Sequence, residues 1–245
     1  MSSGAAERCD GLSECLVAYV DEAGGDVQMW LRDAAALAFE VAAPVRSFPS
    51  YRGQRNFPGF YYAACTDRHV GFESWLERDE AMAMDFDPQV TAFAPQPFRL
   101  SWNGGQQKKG SHTPDFFARR RDGAGVVVDC RPQERIKDRD RELFEATAEF
   151  CALIGWEYRL VTGHDPVWLG NVRWLAGYRQ RRYLNQSIAQ RLVESFAEPT
   201  PLLHGASGVG DPIAVLPVLY HLLWIGLLWT DLTSRLEASS LVAAP

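Results

Sequence analysis

Apolar residues change their spacing several times along the chain, and each change marks an element. From Glu14 to about Ala42, three short apolar stretches (ECLVAYVD, DVQMWL and LAFEVA) predict a small antiparallel element, with Gly24-Gly25 between the first two. Between Gly71 and Phe86 the apolar positions Phe72, Trp75, Leu76, Met82 and Met84 recur at helical spacing. Gln89–Ala94 and Pro97–Trp102 read as strands around a Pro-Gln-Pro bend. Phe116–Arg119 and Gly125–Asp129 read as strands joined by an Asp122-Gly123 turn. A long amphipathic helix is expected from Asp138 to Ile154, with Leu143, Phe144, Ala148, Cys151 and Ala152 on one side. Trp156–Val161 is a further strand, and another helix begins at Asp165.

This succession predicts a mixed α/β fold: a central mixed sheet flanked by helices. Two appendages are expected, the small N-terminal β element and a C-terminal segment of one helix and two short strands, winged-helix-like in shape. A boundary is expected at Glu198-Pro199-Thr200-Pro201, which gives three regions, 1–43, 44–198 and 199–245. Pro44 to Gly59 is rich in Pro, Gly and Arg and reads as an irregular arm. Its arginines, Arg46, Arg52 and Arg55, alternate with Phe48, Tyr51 and Phe57. Such an arm suits a phosphate backbone or a strand groove. It equally suits a surface loop stapled by its own aromatics.

Composition narrows the classes. In 245 residues with 47% apolar content there is enough to bury a core, and a net charge of −6 argues against a bulk polycationic nucleic-acid binder. It leaves room for a nuclease, whose metal-binding carboxylates count as negative until an ion meets them. Five cysteines lack metal-ligand spacing and suggest reduced thiols in a cytoplasm. The first residues have no apolar signal region. The apolar run from Ile213 to Trp229 is interrupted by Pro217 and His221 and reads as a buried helix, not a membrane span.

The chemistry concentrates in three segments: Glu73 in GFESWLERDEAMAMDF, Asp115 in HTPDFFARR, and Asp129-Cys130-Arg131 in VVVDCRP. Asp129 follows three valines, so its strand is expected to be central and buried on both faces. A carboxylate there is costly unless a cation meets it. A divalent ion shared with Asp115 answers that cost, and a salt bridge to Arg119 or Arg131 is the alternative. Magnesium suits a few carboxylates with open water positions, and manganese would substitute. The Cys130 carbonyl is a further candidate ligand. Arg131 falls on the same strand face as Asp129. Its guanidinium would stabilise developing charge but could not act as a base near neutral pH. Pairing with Asp115 or Glu73 in a silent site is the other reading. Glu77 lies one turn from Glu73, and the choice between them is open. His69 and His112 read as loop hydrogen-bonders. Lys137, Arg179, Arg181 and Arg182 join Arg52 and Arg55 as candidate DNA contacts.

The ordered motifs SYRGQRNFPGFYY, HVGFESWLERD, DFDPQV, HTPDFF, VVVDCRP and NVRWLAGYR, from about Val45 to Arg182, resemble the TnsA-like endonuclease subunits of heteromeric transposases, most of all an actinobacterial branch. The resemblance implies a restriction-endonuclease-like core of the PD-(D/E)xK kind. It also implies a Mg²⁺-dependent nuclease that cuts one strand at transposon ends beside a DDE-type transposase subunit, often with an AAA+ ATPase regulator. It carries the metal carboxylates onto Glu73, Asp115 and Asp129, and the usual lysine's role onto Arg131. A stand-alone restriction or repair nuclease and a catalytically silent DNA-binding or regulatory subunit are the competing readings.

Overall fold

The computed structural model describes residues 15–21, 23–48, 57–103 and 109–245, and within them the chain forms two compact units. The first comprises residues 1–84 and 89–163; the second comprises residues 85–88 and 164–245. Arg52 and Arg55 lie outside the described residues.

In the first unit, β1 (Cys15–Val20) and β2 (Asp26–Trp30) form the expected hairpin, followed by the short helix α1 (Leu31–Ala34). The third apolar stretch is not a strand. Phe39–Val41 is a 3-10 turn whose Phe39 is buried, with its ring edge-on to Tyr19, Phe98, Phe117 and Trp156. Burying one large ring among four others outweighs the β preference of its neighbours. β3 (Gly59–Ala63) and β4 (Arg68–Phe72) pair antiparallel, so the helix expected from Gly71 begins later, as α2 (Trp75–Phe86). The start is set by Ser74, whose Oγ accepts from the Glu77 N–H at 3.2 Å, while Glu77 Oε2 accepts from the Glu73 N–H at 2.7 Å. This is reciprocal capping of the first helical turn.

β5 (Val90–Pro95) and β6 (Arg99–Trp102) flank the Pro-Gln-Pro bend and diverge into different sheets. β6 and the short β7 (Gly110–His112) join the N-terminal hairpin in the order β2-β1-β6-β7, so that hairpin is part of a four-stranded sheet. β8 (Phe116–Arg120) and β9 (Gly125–Cys130) pair antiparallel; α3 (Asp138–Leu153) then carries the chain to β10 (Glu157–Val161), parallel to β9. The second sheet runs β10-β9-β8-β5 and is therefore mixed. All six residues of β9 are buried, as the valine run requires. Phe117 and Val127 pack with Phe98, Trp156 and, from α3, Ala146, Phe150 and Cys151.

The second unit holds α4 (Pro166–Leu175), α5 (Gln186–Ser195), β11 (Thr200–Pro201), α6 (Leu202–Val209), α7 (Pro212–Trp224), β12 (Trp229–Thr230) and β13 (Leu241–Ala243). Its strands form a sheet of order β11-β13-β12. The division falls after Gly163, upstream of the boundary expected at 198/199. Asn171 of α4 shows why. Its amide donates to the Leu232 and Ser234 carbonyls and its oxygen accepts from the Leu236 N–H, which ties α4 to the chain's last segment. The apolar run at Ile213 is the α7 helix, with Val215, Val218, Leu219, Leu222 and Leu223 buried. Among the described residues no helix is long and apolar enough to cross a membrane.

Candidate active site

The ladder between β8 and β9 pairs Phe116 with Val128, which leaves Asp115 and Asp129 as the next facing residues. The two lock together through the backbone. Asp129 Oδ1 accepts from the Asp115 N–H at 3.3 Å, and Asp115 Oδ2 accepts from the Cys130 N–H at 2.7 Å. Asp129, 2% exposed, shares the face of Val127, under α3. There its Oδ2 lies 2.7 Å from His112 Nε2 and accepts from the Tyr158 hydroxyl at 2.8 Å. Both oxygens of Asp129 thus have internal partners. Burial, and then the Asp129 charge, push the Tyr158 hydroxyl well above its ordinary range, so it remains a donor.

Cys130 faces the other way, as alternation demands, and meets different charges. Its thiol is raised first by burial, then by Asp115, Glu80, Glu77 and Asp129. Glu77 and Glu80 come from α2. Glu80 pairs with Arg159 at 2.8 Å. Glu77 is buried, and burial is the largest cause raising its carboxyl above the usual range; the Glu73 N–H and Ser74 hydroxyl oppose the rise, Glu73 adds to it, and Arg46 opposes it. Asp115 is raised well above the carboxylate range by burial, then by Asp129, then by Glu77, with Glu73 a smaller cause. Glu77 therefore presses its charge on Asp115 more strongly than Glu73 does. Neither Glu77 nor Asp115 has an ion pair among the described residues.

Glu73 lies just before α2. Its Oε2 accepts from Arg46 Nη2 at 2.9 Å, while its Oε1 is buried with no hydrogen-bond partner among the described residues. Arg131 pairs with neither Asp115 nor Glu73. Its Nη2 is 3.2 Å from Asp140 Oδ2 in the first turn of α3, and the same oxygen accepts from the Lys137 N–H. That N–H, and next the Arg131 guanidinium, hold the Asp140 carboxyl below its ordinary range. Lys137 is exposed. In the second unit Arg181 and Arg182 are exposed, and Arg179 donates to the Ala176 carbonyl.

Sequence reasoning missed Gln96. It is 1% exposed, with a left-handed φ of 45° and neither side-chain amide atom partnered among the described residues. Its N–H donates to the Asp115 carbonyl at 2.9 Å and its carbonyl accepts from the Val45 N–H at 2.9 Å. The strained residue thus clasps the chain leading to Arg46 onto the strand that begins with Asp115. The flanking prolines were the only sequence signal.

The donor set is all oxygen, buried and short of cations, which suits a hard divalent ion. The unpartnered Glu73 Oε1 is a position such an ion would satisfy. Among the described residues no three His, Cys, Asp or Glu side chains converge closely enough to hold one as they stand. The carboxylates meet N–H groups, Arg46 and His112 instead.

No curated protein matches the chain. Residues 87–163 match the family model described as TnsA-like endonuclease N terminal, a span that contains β5 to β10 with Asp115 and Asp129 and stops short of Glu73 and Glu77. This match, on a mixed α/β architecture consistent with a restriction-endonuclease-like fold, supports a nuclease of the TnsA type.

Proposed function

We propose that this chain is a Mg²⁺-dependent DNA endonuclease that hydrolyses one strand at transposon ends, working beside a DDE-type transposase subunit and an AAA+ ATPase regulator. The observation that carries this reading is the pair Glu77 and Asp115, two desolvated carboxylates from different segments with no ion pair among the described residues. Keeping such a pair without a cation is costly. Glu77, Asp115 and Asp129, with Glu73 and the Cys130 carbonyl beside them, are the groups that would hold Mg²⁺ or Mn²⁺. A bound divalent ion would polarise a phosphodiester and supply a nucleophilic water at neutral pH.

The chain's own residues set the remaining conditions. The capping by Ser74 fixes where Glu77 stands, and the exchange of side-chain and backbone bonds fixes Asp115 against Asp129. His112 and Tyr158 orient Asp129 from below the sheet. Arg131 engages Asp140 through Nη2 at the start of α3, away from Asp115 and Glu73. That engagement, with both Asp129 oxygens occupied, favours a second reading: a DNA-binding subunit that does not cut.

A nicking assay separates the two. Supercoiled and transposon-end duplex DNA are incubated with the full chain and Mg²⁺ or Mn²⁺, with and without the partner transposase. The endonuclease reading predicts metal-dependent nicks that disappear in Asp115→Ala and Asp129→Ala. Identical behaviour of wild type and both variants in every combination sinks it.

A further inference from the structure

The carboxylate cluster repels the polyanion it is proposed to cut, and beside a bound ion a cation of the protein would steady the phosphate there. Arg131 does not occupy that place, because its guanidinium faces Asp140 at the start of α3. Arg159 is engaged with Glu80. Arg46 is different. Its Nη2 binds Glu73 at 2.9 Å, its charge is felt by Glu77, and its side chain is still 43% exposed. One nitrogen of a planar fork is engaged, which leaves further donors directed elsewhere.

Its position is fixed from behind. The Val45 N–H bonds to the Gln96 carbonyl, and the Gln96 N–H bonds to the Asp115 carbonyl. Two successive backbone hydrogen bonds therefore tie the residue before Arg46 to the residue that carries the central carboxylate. The left-handed backbone of Gln96, a conformation L residues rarely adopt, accompanies this clasp. A loose surface arginine would have no such attachment.

We propose that Arg46 is the side chain that contacts the scissile phosphate at this site, held in readiness by Glu73. This rests on the endonuclease reading above and adds to it the group that receives the substrate. The contact is charge-assisted and suits a non-bridging phosphate oxygen, whichever base follows.

The test measures DNA binding and cutting separately. Affinity of the full chain for a fluorescent duplex is titrated against salt with Ca²⁺ in place of Mg²⁺, for wild type, Arg46→Ala, Arg46→Lys and, as a control for lost charge, the exposed Arg32→Ala. A phosphate contact predicts that Arg46→Ala lowers the slope of log affinity against log salt by about 0.9, and that Arg32→Ala leaves it unchanged. Nicking with Mg²⁺ at saturating DNA should fall about a hundredfold in Arg46→Ala and recover in part in Arg46→Lys. Mn²⁺ affinity should hold or rise, because a competing cation has left Glu73. An unchanged salt slope overturns the proposal, as does a wild type that binds no duplex. A loss of Mn²⁺ affinity in step with nicking also overturns it, since Arg46 would then only shape the ion site. If Arg46→Ala lowers the slope but wild type never nicks, the endonuclease reading fails while the phosphate contact stands.

Discussion

Asn171, His221 and Thr230 are buried in the second unit, and the hydrogen bonds of their side chains run to main-chain groups: Asn171 to the segment 232–236, His221 Nδ1 to the Tyr178 carbonyl, Thr230 Oγ1 to the Leu241 carbonyl. In the first unit the charges of Asp129 and Glu77 raise the proton affinity of Asp115, while Gln96 and Glu73 keep buried polar atoms unpartnered among the described residues. One unit uses buried polarity to staple its chain; the other gathers carboxylates, of which Glu77 and Asp115 meet no ion-pair partner among the described residues. Stapling groups are explained by the fold that contains them. Unneutralised charge calls for something the fold does not contain, which is why the site is sought in the first unit.

The largest expected effect breaks the comparison on the charged side. Asp115→Asn keeps an acceptor for the Cys130 N–H but removes the charge, so nicking should fall on the order of a thousandfold or more, with no loss of thermal stability in metal-free buffer. Next comes the stapled side. Asn171→Leu orphans two carbonyls and one N–H and should cost about 3 kcal/mol of stability, read as an earlier denaturant midpoint, while Mn²⁺ affinity is unchanged. A loss of Mn²⁺ affinity in Asn171→Leu would end the division of roles between the units.

The third effect concerns pH. Asp115 has a raised value in the folded protein, so above the ordinary carboxylate range the folded chain binds more protons than the unfolded one. Its contribution to stability is present at low pH and lost as pH rises through the raised value. Metal-free Asp115→Asn should therefore melt above wild type at neutral pH, with the gap closing as pH falls toward the ordinary carboxylate range. The smallest effect is Arg131→Ala. The Arg131–Asp140 pair has its arginine 44% exposed, and its loss should cost under about 1 kcal/mol. Its effect on nicking should be well below that of Arg46→Ala, and the reverse order would restore Arg131 to the site.

Much of this was legible in the sequence, for local reasons. The Asp122-Gly123 turn fixes the register of β8 on β9, and the register places Asp115 beside Asp129. The valine run told that β9 is central. The choice between Glu73 and Glu77 was not legible from helical spacing, which puts both on one face. Ser74-x-x-Glu77 is a capping signature that starts the helix after Glu73 and puts Glu77 in its first turn. Arg46 on Glu73 spans 27 residues and rests on the clasp at Gln96. No local pattern encodes such a contact. The stretch LAFEVA was misread because its alternation suits a strand, while the position of Phe39 is decided by four rings distant in sequence. The α4 helix was found, but its place in the second unit depends on Asn171 reaching residues more than 60 positions on.

The central claim is that Glu77 and Asp115 form a site for a hard divalent ion. Mn²⁺ titration of the full chain, followed by electron paramagnetic resonance, tests it without requiring DNA or partners. Saturable binding is expected, displaced by Mg²⁺ and weakened at least tenfold, about 1.4 kcal/mol, by each of Glu77→Gln and Asp115→Asn. Binding that is absent, or equal in wild type and both variants, would contradict it.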